Sequence, residues 1–270
     1  MKLERSVIAL TCCMCLIFCL TAGSGLCEEN SLAIRDKIRS KYSSYDDEVD
    51  DISIKMRTTT YSDDGDQVVE IDIMQQGKML RSDMDFTQAG MPDLSDEPAE
   101  SINSVIYDGQ DAWMISPTGK MKMPDVSMDN NQGFAGSWWW DYVDEGAVLI
   151  GSEAINGRDC YILDLTSSQS TTYKKVWITQ DDLSLVQSQG AGSGPTLTAV
   201  HSNHQELLGK WPLPRRTDIY DGDKLVMRVD IDKIDVNTGF TDETFDPNAI
   251  APDVPDYTVE TQQYIDQHSE

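Results

Sequence analysis

The chain has 270 residues and a formal net charge of −26, with 47 acidic against 21 basic side chains. Such a balance argues against a nucleic-acid partner, which needs basic patches for phosphate, and would repel the anionic headgroups of a lipid surface. The length allows one large all-β domain or two small ones, and acidity of this size bears on solubility rather than on fold.

The first residues, "MKLERSVIALTCCMCLIFCLTAGSG", carry Lys2 and Arg5, then an apolar run from Val7 to Leu20, then small residues. This is the pattern of a secretory signal peptide over 1–27, too short and too weakly flanked for a membrane span, so the mature chain is expected outside the cytoplasm, in a periplasm or its equivalent. Cleavage is expected after Gly25 or after Cys27. A lipid anchor at Cys27 is the weaker reading, because Leu26 stands where a lipidation signal wants a small residue. Cys12, Cys13, Cys15 and Cys19 leave with the signal, so neither a disulfide scaffold nor a thiolate metal cluster is expected. Cys160 reads as a small buried hydrophobe, with a bridge to Cys27 open only if Cys27 survives cleavage.

In "NSLAIRDKIRSKYSSY" the residues Leu32, Ile34, Ile38 and Tyr42 recur at helical spacing behind Asn30 or Ser31, which predicts one amphipathic helix. The period then changes to two. Ile52, Ile54 and Met56 alternate with Ser53, Lys55 and Arg57, and after the turn "SDDGD" Val69, Ile71 and Ile73 alternate with Glu70 and Asp72. "GKMLRSDMDF" continues the alternation, with Leu80, Met84 and Phe86 opposite Arg81, Asp83 and Asp85.

A polar stretch over 88–101 interrupts this pattern. Strands resume in "SVIYDGQDAWMIS", with a hairpin signal at Asp108-Gly109. Residues 124–145 hold Trp138, Trp139 and Trp140 side by side without a strand period and read as a helical or irregular excursion. Further strands follow, turning at Asn156-Gly157, Asp181-Asp182 and Asp221-Gly222. The total is ten or eleven antiparallel strands, with no dividing linker and no repeat of fixed period. One mainly β domain over 28–250 is expected, a single curved sheet with helices on its dry face, then a mobile acidic tail over 251–270.

The residues offer little chemistry. His201 and His204 are three apart, so on a strand they point to opposite faces and would not converge on a metal; exposed strand-end histidines are the simpler reading. "DVNTGFTDETF" begins like a calcium loop, but Phe240 stands where the glycine is needed and no glutamate closes it. No nucleophile elbow or phosphate loop is present in the mature chain, and no carboxylate pair stands out. The reading is a non-enzyme without cofactor or metal.

What remains is apolar surface. Adaptable methionines, and tryptophans, on one face of a curved sheet would accept acyl chains without fixed geometry. The candidates for a hydrophobic cavity or its lid are Trp113, Met114, Trp138, Trp139, Trp140, Trp177, Met84, Phe86 and Met227.

A signal peptide, a short helix, then a meander with "VIYDGQDAWMISPTGKM", "INGRDCYILDLTSS", "YKKVWITQDDLSLVQSQ" and "DVNTGFTDETFDPN" resembles the periplasmic lipoprotein-carrier (LolA-like) and outer-membrane lipoprotein-sorting superfamily. The resemblance spans about residues 30–250. It implies an incompletely closed barrel of about eleven strands, lidded by helices, with a cavity for lipid or lipoprotein acyl chains. It also implies a monomer that meets an inner-membrane exporter or an outer-membrane acceptor. An envelope sensor on the same fold, without transport, is the alternative. Where the best-known carriers place Arg-Pro, this chain reads "IMQQGK", and Arg81 matches only a later arginine.

Overall fold

In the computed structural model the described residues are 30–86, 102–123, 138–168, 170, 172–190 and 196–258. The signal segment therefore lies outside them, as do the whole polar stretch over 88–101 and the first part of the Trp-rich excursion. A helix, α1, covers 30–42, and a single turn, α2 (Tyr45–Glu48), follows.

The first meander is β1 (Asp51–Thr60), β2 (Gln67–Gln76), β3 (Met79–Asp85), β4 (Ile102–Tyr107), β5 (Ala112–Ser116) and β6 (Gly119–Met123). The second is β7 (Val148–Ile155), β8 (Arg158–Asp164), β9 (Tyr173–Thr179), β10 (Leu185–Gly190) and β11 (Leu197–Ser202). A small hairpin, β12 (Gln205–Leu207) and β13 (Trp211–Leu213), precedes β14 (Arg216–Asp221) and the long β15 (Lys224–Val236).

The sheet has 13 strands in the order β6-β5-β4-β3-β2-β1-β15-β14-β11-β10-β9-β8-β7, so β6 and β7 are its edges and it does not close. The open curved architecture agrees with the sequence reading; the strand number exceeds it. Part of the difference is β6, too short to show a period; the pair β12–β13 lies outside this sheet and forms a two-stranded sheet of its own. At the β7–β8 turn, Asn156 (φ 52°) and Gly157 (φ 80°) both take the left-handed backbone that a two-residue hairpin requires.

The two meanders are joined at the centre, where β1 pairs with β15 from Ile52↔Val236 to Thr60↔Met227. Asp51, at the head of this ladder, is buried. Its carboxylate accepts from Thr238 N (2.8 Å), Thr238 Oγ1 (2.8 Å) and Gly239 N (2.7 Å). The loop that begins like a calcium site thus wraps a carboxylate of β1. Asn237 completes the clamp, its Nδ2 donating to Glu48 O at 2.8 Å and its Oδ1 accepting from Asp50 N at 2.8 Å.

The first part of the expected tail over 251–270 is packed, while 259–270 lie outside the described residues. Phe245 and Ala251 pack with Ile106 and Ile115 on the face away from α1, and α3 (Pro247–Ile250) lies between them in sequence. Lys120 of β6 is buried, its Nζ donating to Asn248 Oδ1 (2.8 Å) and Ala251 O (2.9 Å). Its backbone pairs with Pro255 and Tyr257, and the Tyr257 ring lies so close over Gly119 that a Cβ there would collide with it. Residues 251–258 of the expected mobile tail are therefore docked on an edge strand, which also shields that edge.

Asp51 carries a quantitative expectation. Burial opposes its ionisation, but the Thr238 and Gly239 donors outweigh that and hold it below the usual carboxylate range. A lowered folded-state pKa adds stability above the unfolded value near ~4 and loses it as pH falls through the folded one. Asp51→Ala leaves those donors unsatisfied and is expected to lower the unfolding free energy at pH 7 by about 2–4 kcal/mol in urea titrations. The deficit should shrink below about pH 4. A deficit independent of pH would contradict the clamp.

Candidate functional site

Directly paired residues of an antiparallel ladder share a face, so the registers sort the side chains. The inner face, defined as the one α1 packs against, carries Ile54, Ile73, Ser82, Val105, Met114 and Met121 in one row from β1 to β6. Beside it runs Ile231, Met56, Ile71 and Met84, from β15 to β3. Apart from the buried Ser82, these side chains are half-buried, and Met114 is 38% exposed. Inner-face positions of β1–β6 carry no charge, whereas the opposite face of the same strands holds Lys55, Arg57, Glu70, Asp72, Arg81 and Asp83.

The same face is filled in the second meander. Leu163, Val176, Ile178 and Leu185 are buried under Ile34, Ile38 and Tyr42 of α1. The tryptophans lie in this filled part. Trp138 is extended and leads into a one-turn 3-10 helix, Trp139–Tyr142. Trp139 and Trp140 are buried; Trp138 is half-buried and stacks on Trp140 (5.0 Å, 9°), which stacks in turn on Tyr42 (4.1 Å, 11°). Tyr45 meets Trp138, Trp140 and Trp211 edge-on. Trp211 Nε1 donates to Lys41 O at 3.1 Å and Tyr42 Oη to Leu183 O at 3.0 Å, so these buried polar atoms are paired. The tight turn resolves the difficulty of three adjacent indoles by layering them rather than aligning them.

A cleft of about 430 Å³ opens beside this cluster, between Tyr45, Val49 and Trp138 on one side and Ile52, Gln75 and Gly77 on the other. Ile52 and Gln75 are inner-face positions, so the cleft adjoins the apolar rows. Asp141 braces it by accepting from Trp138 N at 2.6 Å. Although its residue surface is exposed, desolvation of the carboxyl is the largest influence; the Trp138 bond opposes it, Asp46 adds to it, and the pKa is pushed up to about 6.

The sequence candidates divide accordingly. Met84, Met114 and Met227 stand on inner-face rows, and Phe86 follows β3 in step with Met84. Trp138, Trp139 and Trp140 form the cluster at the boundary of the filled half. Trp113 and Trp177 correct the reading, since both lie on the outer face. Trp113 pairs with Ile106, packs with the docked tail, and donates to Asp108 Oδ2 at 3.3 Å. Trp177 packs on Cys160 and Val186 and donates to Glu153. Amphipathic alternation could not separate them, because both outer patches are themselves apolar clusters with buried members.

The histidines also differ from expectation. His201 is on the inner face, bonded to Ser188 Oγ and Thr217 Oγ1, both at 3.0 Å, while His204 Nε2 meets Leu185 O at 2.7 Å. Burial, helped by His204, pushes the His201 pKa down to about 3, so it is neutral at physiological pH. Sequence reasoning did not name Ile54, Ile71, Ile73 and Val105 as candidates for this apolar face, although their alternation was the available signal.

Comparison with solved structures gives the same architecture. A LolA superfamily protein from Nitrosomonas europaea superposes with a TM-score of 0.55 at 20% identity, over 79% of this chain and 97% of that one. A putative outer membrane lipoprotein-sorting protein domain from Vibrio parahaemolyticus gives 0.54 at 15% identity, over 83% and 99%. A DUF1329 family protein from Desulfovibrio piger gives 0.54 at 16%, over 82% and 97%. No family model and no curated protein sequence matches the chain. The chain has a LolA-like fold.

Asp141 provides a test of the cluster's electrostatics. A carboxyl whose folded pKa is raised stabilises the fold below the unfolded value near ~4, and that contribution is lost as pH rises through about 6. Asp141→Asn removes this dependence. The melting temperature of the variant minus that of the wild type, followed by tryptophan fluorescence, should become more positive between pH 4 and pH 7.5. A flat difference would show the carboxyl to be freely hydrated.

Proposed function

We propose that the chain is an extracytoplasmic carrier that holds lipid or lipoprotein acyl chains against the inner face of β1–β6 and β15. The observation that carries this reading is the contrast along one face: packed shut over β8–β10, but lined by half-exposed Ile and Met side chains over β1–β6. Methionine and isoleucine without interleaved charge suit flexible hydrocarbon, because such side chains repack around a chain of no fixed shape. The signal-like leader supports delivery to the periplasm or its equivalent, where the chain would act as a monomer between a donor and an acceptor membrane. The LolA superfamily and lipoprotein-sorting neighbours support the same role by analogy of fold.

A neutral fluorescent monoacylglycerol tests this directly. Ile73→Asp and Met84→Asp, which put a carboxylate among the apolar rows, should each weaken binding by roughly ten-fold or more. Arg57→Gln on the outer face should leave it unchanged. Equal weakening by all three, or no binding by the wild type, would contradict the reading.

A further inference from the structure

The inner face changes character where β14 begins. Arg215 lies just before that strand, its backbone N–H donating to Ser202 O at 3.1 Å and its carbonyl accepting from Ile231 N at 2.7 Å. The next residue, Arg216, sends its side chain to the outer face, where Nε donates to Asp230 Oδ1 at 2.7 Å. Arg215 itself is a bend, but those two backbone bonds carry the ladder one pair beyond Arg216↔Asp230, which puts Arg215 beside Ile231 on the inner face, two residues before the inner-facing Thr217.

Its Nε and Nη1 are buried and have no hydrogen-bond partner among the described residues. Nor does any ion pair among those residues include it, although Arg57, Arg81, Arg158, Arg216 and Arg228 are all paired with carboxylates. Arg215 as a whole is half-buried, so its guanidinium is partly enclosed; because that group stays protonated, burying two of its nitrogens without a counter-charge is unfavourable. The nearby Ser188–His201–Thr217 chain is satisfied within itself and, with His201 neutral, supplies no anion.

We infer that Arg215 anchors the anionic head group, a carboxylate or phosphate, of the amphiphile whose chain lies on the apolar rows. The inference rests on the acyl-binding reading above and names the ligand's charged end. The geometry suits it. Ile231, Met56, Ile71 and Met84 lead away from Arg215 across successive strands, about 19 Å in four steps at the usual strand spacing. Planar oxyanions match the guanidinium fork, and pairing would replace an unmet desolvation cost with charge-assisted hydrogen bonds.

The test compares myristate with 1-monomyristin, which share a chain and differ in charge, by titration calorimetry at 150 mM salt on the wild type and Arg215→Met. The wild type should bind myristate roughly ten-fold or more tightly than monomyristin. In Arg215→Met that gap should close through loss of myristate affinity. Removal of the unpaired cation should also raise the melting temperature of the ligand-free protein. A gap that persists in the variant, or is absent from a wild type that binds monomyristin, overturns the inference and leaves the acyl reading standing. Binding of neither compound overturns both. Inorganic phosphate that binds as tightly as myristate overturns the amphiphile in favour of a free anion. A fall in melting temperature like that of an ordinary core truncation would show the guanidinium to be already paired.

Discussion

The pairing of β1 with β15 is the constraint on which the rest of the structure depends. It joins two residue runs about as far apart as the domain allows, and every other neighbour in the sheet is reached from one side of it or the other. The loop after β15 folds back to saturate Asp51, so the ladder is locked at the end where α2 enters. A one-residue slip here would exchange Ile52, Ile54 and Met56 for Asp51, Ser53 and Lys55 on the inner face. Continuity of the apolar rows across β15, β1 and β2 therefore follows from this register. Such non-local pairing also sets the cost of folding, since the intervening chain must be ordered before the ladder rewards it.

Given that sheet, the two halves use the inner face differently. Over β8–β10 the face is filled by α1 and the aromatic cluster, which supplies the buried area that a half-open sheet otherwise lacks. Over β1–β6 the same face keeps half-exposed Ile and Met, and the outer face takes the structural burden instead, through Phe245, Ala251 and the clasp on Lys120. Stability and an accessible apolar surface are thus placed on opposite sides of the same strands. Arg215 stands where the filled part gives way to the apolar rows.

Much of this was legible in the sequence. Alternation in "DISIKM" and "VVEIDI" assigned the faces of β1 and β2 correctly, and Asn156-Gly157 marked its hairpin because only certain residues accept the backbone it needs. The faces of Trp113 and Trp177 were not legible, because an apolar cluster on the outer face shows the same residue types as one on the inner face. Docking of the tail was hidden for a different reason. A proline-rich segment has no period, and its partners, Gly119 and Lys120, lie far away in the chain. The placement of Arg215 was equally out of reach, since it depends on β11 and β15 flanking a residue that sequence shows only as half of an Arg-Arg pair.

The most direct measurement is native mass spectrometry of the protein purified from its native host, under gentle and then activating conditions. The account predicts an acyl-bearing increment on the polypeptide mass that is lost on activation. A bare polypeptide mass under the gentlest conditions, together with no uptake when acyl lipid is added back, would contradict a face built to hold lipid.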